Sequence, residues 1–374
     1  MNTPFEQLTI IGTGLIGGSV AMAARAAMPT LQIHAIDPDP QARAIAQTLK
    51  TNHAKIFNQP VFNTVTDDLA QALKSGVLAP ENRASHLVLI ACHLAQSRLV
   101  LEQLAAELTQ TTTDATLNCA HTTPASSTSS ESPICALPYE GLVITDIGSC
   151  KRQICELGQS ILPCVFIGGH PLAGRERSGL DWAQSTLFEG KPWLLCPHEA
   201  TPAPVQDALE AFINTLGASR ILRMSPQKHD QAMAMISHFP QLYSTLLANL
   251  LEGISGQFSE PFEPHELLQF QGTGIAGHLR LAASPYAMWG QIMQENAPNV
   301  RQVLQAWRAL TEQAMAALDA QSTDVPVMAQ PDDKLDALTG PNTLNGWFNR
   351  ANELYDSYLS HQAQTGIKEP QVEG

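Results

Sequence analysis

The chain has 374 residues, a formal net charge of −14 and 44% apolar side chains, which is enough material for two domains with separate cores. The acidic balance repels a phosphate backbone, so no nucleic acid is expected as a partner. No apolar run reaches the roughly 18 residues of a membrane span, and no basic stretch precedes the glycine-broken apolar run after Thr9, so neither a signal peptide nor a membrane partner is expected and the protein is read as cytoplasmic.

Leu8 to Ile11 is a short apolar run ending in glycine, the pattern of a buried parallel strand, and Gly12 to Arg25 follows as turn and helix. A second strand is expected over Leu31 to Ile36, a helix over Gln41 to Lys50, a strand over Leu87 to Ala91 and a helix over Ser97 to Leu108. The alternation predicts a doubly wound parallel sheet covered on both faces. Residues 109–133 are dominated by Thr, Ser and Ala and are expected to be a flexible surface insertion. The sheet resumes at Leu142 to Asp146, Val165 to Ile167 and Trp193 to Cys196, with a helix over Pro204 to Leu216 and a last strand over Arg220 to Met224.

After residue 224 the strand pattern stops. Long helices are expected over Gln231 to Leu251 and Ala297 to Leu318, a shorter one near Pro285 to Glu295, and a final one over Asn345 to Ser360. The fold class is therefore an α/β Rossmann-type domain, residues 1–224, followed by an all-helical domain, residues 225–374. The seven cysteines are odd in number and include no Cys-x-x-Cys. Free thiols are expected rather than a disulfide framework, and no metal site.

Gly12-Thr13-Gly14-Leu15-Ile16-Gly17 is a G-x-G-x-x-G between a strand and a helix. Gly12 permits the tight turn, Gly14 lets backbone approach a pyrophosphate, and Gly17 lets helix pack on strand; the N–H groups of Leu15 and Ile16 open the helix toward the phosphates. Asp37 ends the second strand, about 20 residues on, where a carboxylate accepts from the adenosine ribose hydroxyls and repels a 2′-phosphate. No arginine follows immediately, so NAD is expected over NADP. Asp39 is a rival for the ribose, and Asp37 merely opening the turn at Pro38 is the plainer alternative.

The second chemical segment is Phe166-Ile167-Gly168-Gly169-His170-Pro171-Leu172-Ala173-Gly174-Arg175-Glu176-Arg177-Ser178-Gly179. His170 follows one strand and Ser149 the preceding one, and ligands of a doubly wound sheet sit at such carboxyl ends. Neutral histidine suits the removal of a hydroxyl proton as hydride leaves carbon, and a contact with Ser149 is expected to fix its tautomer. The alternative for His170 is a turn cap before proline. Glu176 joins the histidine network, gates the entrance or is an exposed loop carboxylate. Arg280 is a lone cation in an apolar stretch; it pairs with a substrate carboxylate or with an internal partner. Trp289 is a substrate contact or core.

Together these segments resemble the prephenate/arogenate (cyclohexadienyl) dehydrogenase family over most of residues 8–308. The matching stretches are Gly12 to Ser19, Asp146 to Lys151, Gly168 to Gly179, Leu187-Phe188-Glu189-Gly190 with Trp193, His229-Asp230, Ser237 to Pro240, and Arg280 to Trp289. The resemblance implies a Rossmann-type domain joined to a helical dimerisation domain, hence a homodimer. It implies a catalytic histidine at His170 with an assisting serine at Ser149, the loop glutamate at Glu176 and a substrate-binding arginine at Arg280, with Ser237, Gln241 and Trp289 also expected at the substrate. It further implies NAD-dependent oxidative decarboxylation of prephenate or arogenate in tyrosine biosynthesis. The chain departs from the pattern at Gln241, where family members often carry a histidine after the proline, and at Gln271-Gly272-Thr273-Gly274 before the arginine. Two rivals remain. A β-hydroxyacid-type dehydrogenase would carry a Gly-x-x-x-Asn-x-x-Lys pattern, which does not occur after 225, and an NAD sensor would not need Ser149, His170 and Arg280 together.

Overall fold

Eight strands form one sheet in the order β3-β2-β1-β4-β5-β6-β7-β8. The computed structural model describes residues 4–51, 58–72, 85–119, 141–175, 177–254, 260, 266, 268–270, 272–323 and 344–365. The strands are β1 (Gln7–Ile11), β2 (Gln32–Ile36), β3 (Thr64–Thr66), β4 (His86–Ile90), β5 (Leu142–Asp146), β6 (Phe166–Pro171), β7 (Pro192–Cys196) and β8 (Arg220–Arg223). Between them run α1 (Leu15–Ala27), α2 (Pro40–Thr48), the short α3 (Leu69–Ala72), α4 (Leu94–Cys119), α5 (Arg152–Ile161) and α6 (Ala203–Thr215). β4 and β5 are buried at every position, as strands covered on both faces must be.

Side-chain alternation builds two cores from one sheet. Leu8, Ile10, Ile33, Ala35, Leu87 and Leu89 point to one face and pack under Val20, Ala21 and Ala24 of α1 and Leu209, Phe212 and Ile213 of α6. Ile11, Ile36, Val88, Ile90 and Ile144 point to the other, under Leu101, Leu104 and Leu108 of α4 and Ile154 of α5. The three-residue β3 has no apolar pattern of its own and was not legible in the sequence.

The sheet is not wholly parallel: β7 pairs antiparallel with β6, Gly168 opposite Cys196 and Pro171 opposite Trp193, while β8 follows β7 in parallel. Among the described residues the one helical element between β6 and β7 is a short 3₁₀ turn, Leu180–Trp182, and without a crossover helix a chain returns antiparallel. The expected insertion does not begin at 109, because α4 continues through Cys119. Thr109 bonds its hydroxyl back to the Ala105 carbonyl at 2.8 Å, which keeps threonine compatible with a helix. The rest of that stretch lies outside the described residues.

The chain divides into two compact units, Met1–Met233 with Ala283–Glu295, and Ala234–Ala282 with Asn296–Gly374. This differs from a single boundary at 224. In the first unit α7 (Pro226–Met233) buries His229, Asp230 and Met233. The returning helix α10 (Tyr286–Glu295) is tied to α4 by Glu295–Arg98 at 2.8 Å and packs Ile292 and Trp289 on Leu94 and Cys150. In the second unit, α8 (Phe239–Ile254) packs against α9 (Thr273–Ala282), a helix the sequence reading did not identify. Phe239, Tyr243 and Trp307 of α11 (Ala297–Thr323) cluster with ring centroids 5.3–6.1 Å apart. The last helix, α12, spans Leu344–Thr365.

Among the described residues Cys92, Cys150, Cys155 and Cys196 are free thiols, whereas Cys164 is disulfide-bonded, against the expectation of free thiols throughout. No described helix is long and apolar enough to cross a membrane.

Candidate active site

The order of strands reverses between β1 and β4, and the glycine loop sits at that switch point. Gly12 has φ +98°, and a Cβ there would lie 2.7 Å from the Ala91 carbonyl that follows β4. A Cβ on Gly17 would lie 2.2 Å from the Gly12 carbonyl. Both positions therefore require glycine. A Cβ on Gly14 would meet nothing within 4 Å, so the backbone here is open to a ligand, beside the first N–H groups of α1 at Leu15 and Ile16.

Asp37, 8% exposed, pins this loop. Its Oδ2 accepts from the Thr13 backbone N–H at 2.7 Å and the Thr13 hydroxyl at 2.8 Å, and its Oδ1 from the Asp39 N–H at 2.9 Å. Three of the roughly four lone-pair positions of a carboxylate are thus used, leaving one for a ribose hydroxyl. Asp39 instead caps α2 by accepting from Gln41 N–H at 2.9 Å. Arg43, unnoticed in the sequence, donates to the Asp37 and Pro38 carbonyls and pairs with Asp67 at 3.2 Å. The loop, the helix start and the acidic strand end fit a dinucleotide.

Asp146 organises the next part. It ends β5, and its Oδ2 accepts from Gly148 N–H at 2.8 Å and from the Lys151 ammonium, its Oδ1 from Gly169 N–H at 3.1 Å. One carboxylate thereby holds the loop that carries Ser149 and the residue before His170. Lys151 is completely buried. Burial alone would lower its pKa, but the Asp146 carboxylate holds it above the ordinary lysine value.

His170 lies on β6, partly exposed. Its Nδ1 is 2.9 Å from Nε2 of His229, whose Nδ1 is 2.8 Å from Oδ1 of Asp230. Asp230 also accepts from the backbone N–H groups of Lys151 at 2.7 Å and Arg152 at 3.0 Å, the start of α5. Burial lowers the pKa of His229 and so keeps it neutral. Burial would raise Asp230, but hydrogen bonds from His229, Lys151 and Arg152 outweigh it and hold the carboxyl below its ordinary value. Ser149 is half-buried on the loop before α5. No hydrogen bond joins it to His170 among the described residues; His229 takes the place expected for it.

Trp289 is partly buried against Leu94, Cys150 and Ile292. Burial pushes the Cys150 thiol up, which keeps this neighbour of Ser149 unreactive. Glu176 lies outside the described residues.

The remaining expected residues belong to the second unit. Ser237 sits in a π-helical turn, Ala234–His238. Pro240 cannot donate to the carbonyl one turn back, and the wider turn accommodates that loss. Gln241 is buried and donates to the Leu281 carbonyl at 2.8 Å, joining α8 to the end of α9. Arg280 occupies the last turn of α9 and is exposed within its unit, not buried as its apolar sequence context suggested.

His229-Asp230 stands among the stretches that carry the family resemblance, but its role is not apparent from the sequence alone. The available signal was a histidine–aspartate pair beside apolar Met233 in a helix opened by Ser225, whose hydroxyl accepts from Lys228 N–H at 3.2 Å.

Comparison with known proteins agrees with this architecture. The nucleotide-binding domain of prephenate dehydrogenase matches residues 136–222, and the prephenate dehydrogenase dimerization domain matches residues 225–329. The prephenate dehydrogenase of Bacillus subtilis (strain 168) is 29% identical over 310 residues, covering 82% of this chain and 68% of that enzyme. The cyclohexadienyl dehydrogenase of Zymomonas mobilis is 26% identical over 323 residues, covering 86% of this chain and 92% of its own. The crystal structure of prephenate dehydrogenase from A. aeolicus in complex with hydroxyphenyl propionate and NAD+ shares the fold, with a TM-score of 0.65 at 22% identity over 85% of this chain and 92% of that one. With both domain models matched in order and a dinucleotide loop at the switch point of the sheet, the chain belongs to the prephenate dehydrogenase family and is an NAD-dependent dehydrogenase.

Proposed function

We propose that this chain oxidatively decarboxylates prephenate to 4-hydroxyphenylpyruvate, arogenate to tyrosine, or both, in tyrosine biosynthesis. The observation that carries the reading is His170, partly exposed on the sheet that bears the glycine loop, with its inner nitrogen 2.9 Å from His229. Bound NAD supplies the hydride acceptor, held by Gly12, Gly14, Gly17, the N–H groups of Leu15 and Ile16, and Asp37. His170 takes the ring hydroxyl proton as that hydride leaves. Family resemblance assigns the assisting hydroxyl to Ser149, on the loop before α5, while His229 is the neighbour that holds His170. The substrate's ring carboxylate departs as carbon dioxide, and aromatisation drives the step. Residues of the chain position the reactants and exclude water. Arg280 recognises a substrate carboxylate through its guanidinium fork, and Ser237, Gln241, Trp289 and Glu176 are assigned to the substrate by family resemblance.

We propose a homodimer as the working form. Its support is the match to a dimerization domain and the exposed apolar side chains of the second unit, including Leu246, Leu250, Leu310, Met315 and Leu318.

The test is NADH appearance with prephenate and arogenate in parallel, and with NADP as cofactor control. Turnover with either substrate is expected, and His170→Asn should lower kcat by about 10²- to 10⁴-fold while NAD binding is kept. Absence of turnover with both substrates despite NAD binding would sink the reaction, and near-normal turnover by His170→Asn would remove His170 as base.

A further inference from the structure

We infer that His229 and Asp230 are positioning residues that fix His170 in its Nδ1–H tautomer and so present Nε2 as the basic nitrogen. The inference rests on His170 being the base of the proposed reaction.

An ionised carboxylate only accepts. Asp230 already receives two backbone N–H groups, from Lys151 and Arg152, and its third contact is Nδ1 of His229 at 2.8 Å. His229 Nδ1 must therefore carry the proton. A neutral imidazole has one donor and one acceptor nitrogen, so Nε2 of His229 is an acceptor. The only way for His170 Nδ1 to make a hydrogen bond across 2.9 Å is then to donate. That leaves the lone pair of His170 on Nε2.

The chain of contacts also decides where charge goes. When His170 takes a proton on Nε2 it becomes an imidazolium whose Nδ1–H still faces His229, and the Asp230 carboxylate stands behind that ring. No proton needs to leave His170 toward His229 for this to hold. His229 is fully buried and Asp230 2% exposed, so the arrangement is shielded from water and retains its electrostatic strength. Asp230 itself is anchored to the start of α5, whose first residue follows Lys151, and Lys151 is bound through its ammonium to Asp146. The tautomer of a residue on β6 is thus set from α7 through the start of α5.

The experiment combines ring ¹⁵N resonances of histidine-labelled full-length protein, assigned with His170→Asn, and steady-state kinetics of Asp230→Asn and His229→Gln. The second variant keeps the Asp230 contacts to Lys151 and Arg152, so it guards against a mere loss of folding in the first. Above the imidazole titration range, His170 in the native protein should be protonated on Nδ1, and both variants should lose that preference. Their kcat should fall by roughly 10²- to 10⁴-fold, the scale seen when a catalytic histidine is held in the wrong tautomer, with substrate KM and NAD affinity within about twofold. An Nε2–H tautomer in the native protein overturns the inference, as does a kcat within about threefold of the native value in the variants. If the native protein turns over neither substrate, the proposed reaction fails, while the resonances still decide whether His229 and Asp230 set the tautomer.

Discussion

Replacing Lys151 with methionine keeps the volume of the side chain and removes its charge. The ammonium is 0% exposed and its partner Asp146 1% exposed, so the variant leaves a carboxylate buried without its cation. Breaking a buried pair in this way costs about 3–5 kcal/mol. Asp146 retains two backbone donors, Gly148 at 2.8 Å and Gly169 at 3.1 Å, which places the expected loss at the low end, about 3 kcal/mol. For a domain of this size that corresponds to a fall in Tm of roughly 6–12 °C. Thermal melts followed by near-UV circular dichroism measure it. The double variant Asp146→Asn with Lys151→Met removes both charges and should regain most of the loss. A fall of less than about 1 kcal/mol in Lys151→Met would refute the reasoning that the pair is the electrostatic anchor of the Ser149 loop.

Three other outcomes follow from the geometry. Gly17→Ala puts a methyl group 2.2 Å from the Gly12 carbonyl, so it should open the loop and abolish NAD binding in titration calorimetry; retained binding would show that α1 can shift. Asp37→Ser removes the charge that opposes a 2′-phosphate and the acceptor that pins Thr13; kcat/KM with NAD should fall about tenfold and the preference over NADP should shrink, and an unchanged cofactor ratio would relieve Asp37 of that role. The third concerns acid. His229, faced by Asp230, Lys151, Asp146 and His170, has its pKa lowered by burial. The unfolded chain therefore binds its proton first, and stability contributed by the neutral ring is present above about pH 6.5 and is lost on acidification, at up to about 1.4 kcal/mol per pH unit. Urea titrations across that range should show this slope in the native protein and a shallower one in His229→Gln; equal slopes would place the acid sensitivity elsewhere.

Features that depend on neighbours along the chain are legible in the amino-acid order. Gly12 and Gly17 mark positions that only glycine fits and Gly14 leaves the backbone open, the alternation of apolar runs and amphipathic stretches sets strands and covering helices, and His170 stands out because a histidine on a glycine-rich strand end is placed by backbone geometry alone. The end of that strand order, the β6–β7 return, was not legible, because direction depends on whether a helix intervenes and residues 172–191 carry no periodic pattern. Nor was α9, whose Thr273, Gly274 and Gly277 read as a loop until packing against α8 supplies the stabilisation that their propensity lacks. The pairing of side chains across the site comes from packing. Ser149 was the expected partner of His170 because consecutive strand ends lie side by side. The fold instead brings His229, 59 residues away, to 2.9 Å. A hydrogen-bond partner in a buried site is chosen by which side chain is left with a matching donor or acceptor once the cores on both faces of the sheet have closed, and that choice is written in the packing of the whole unit rather than in any local stretch of sequence.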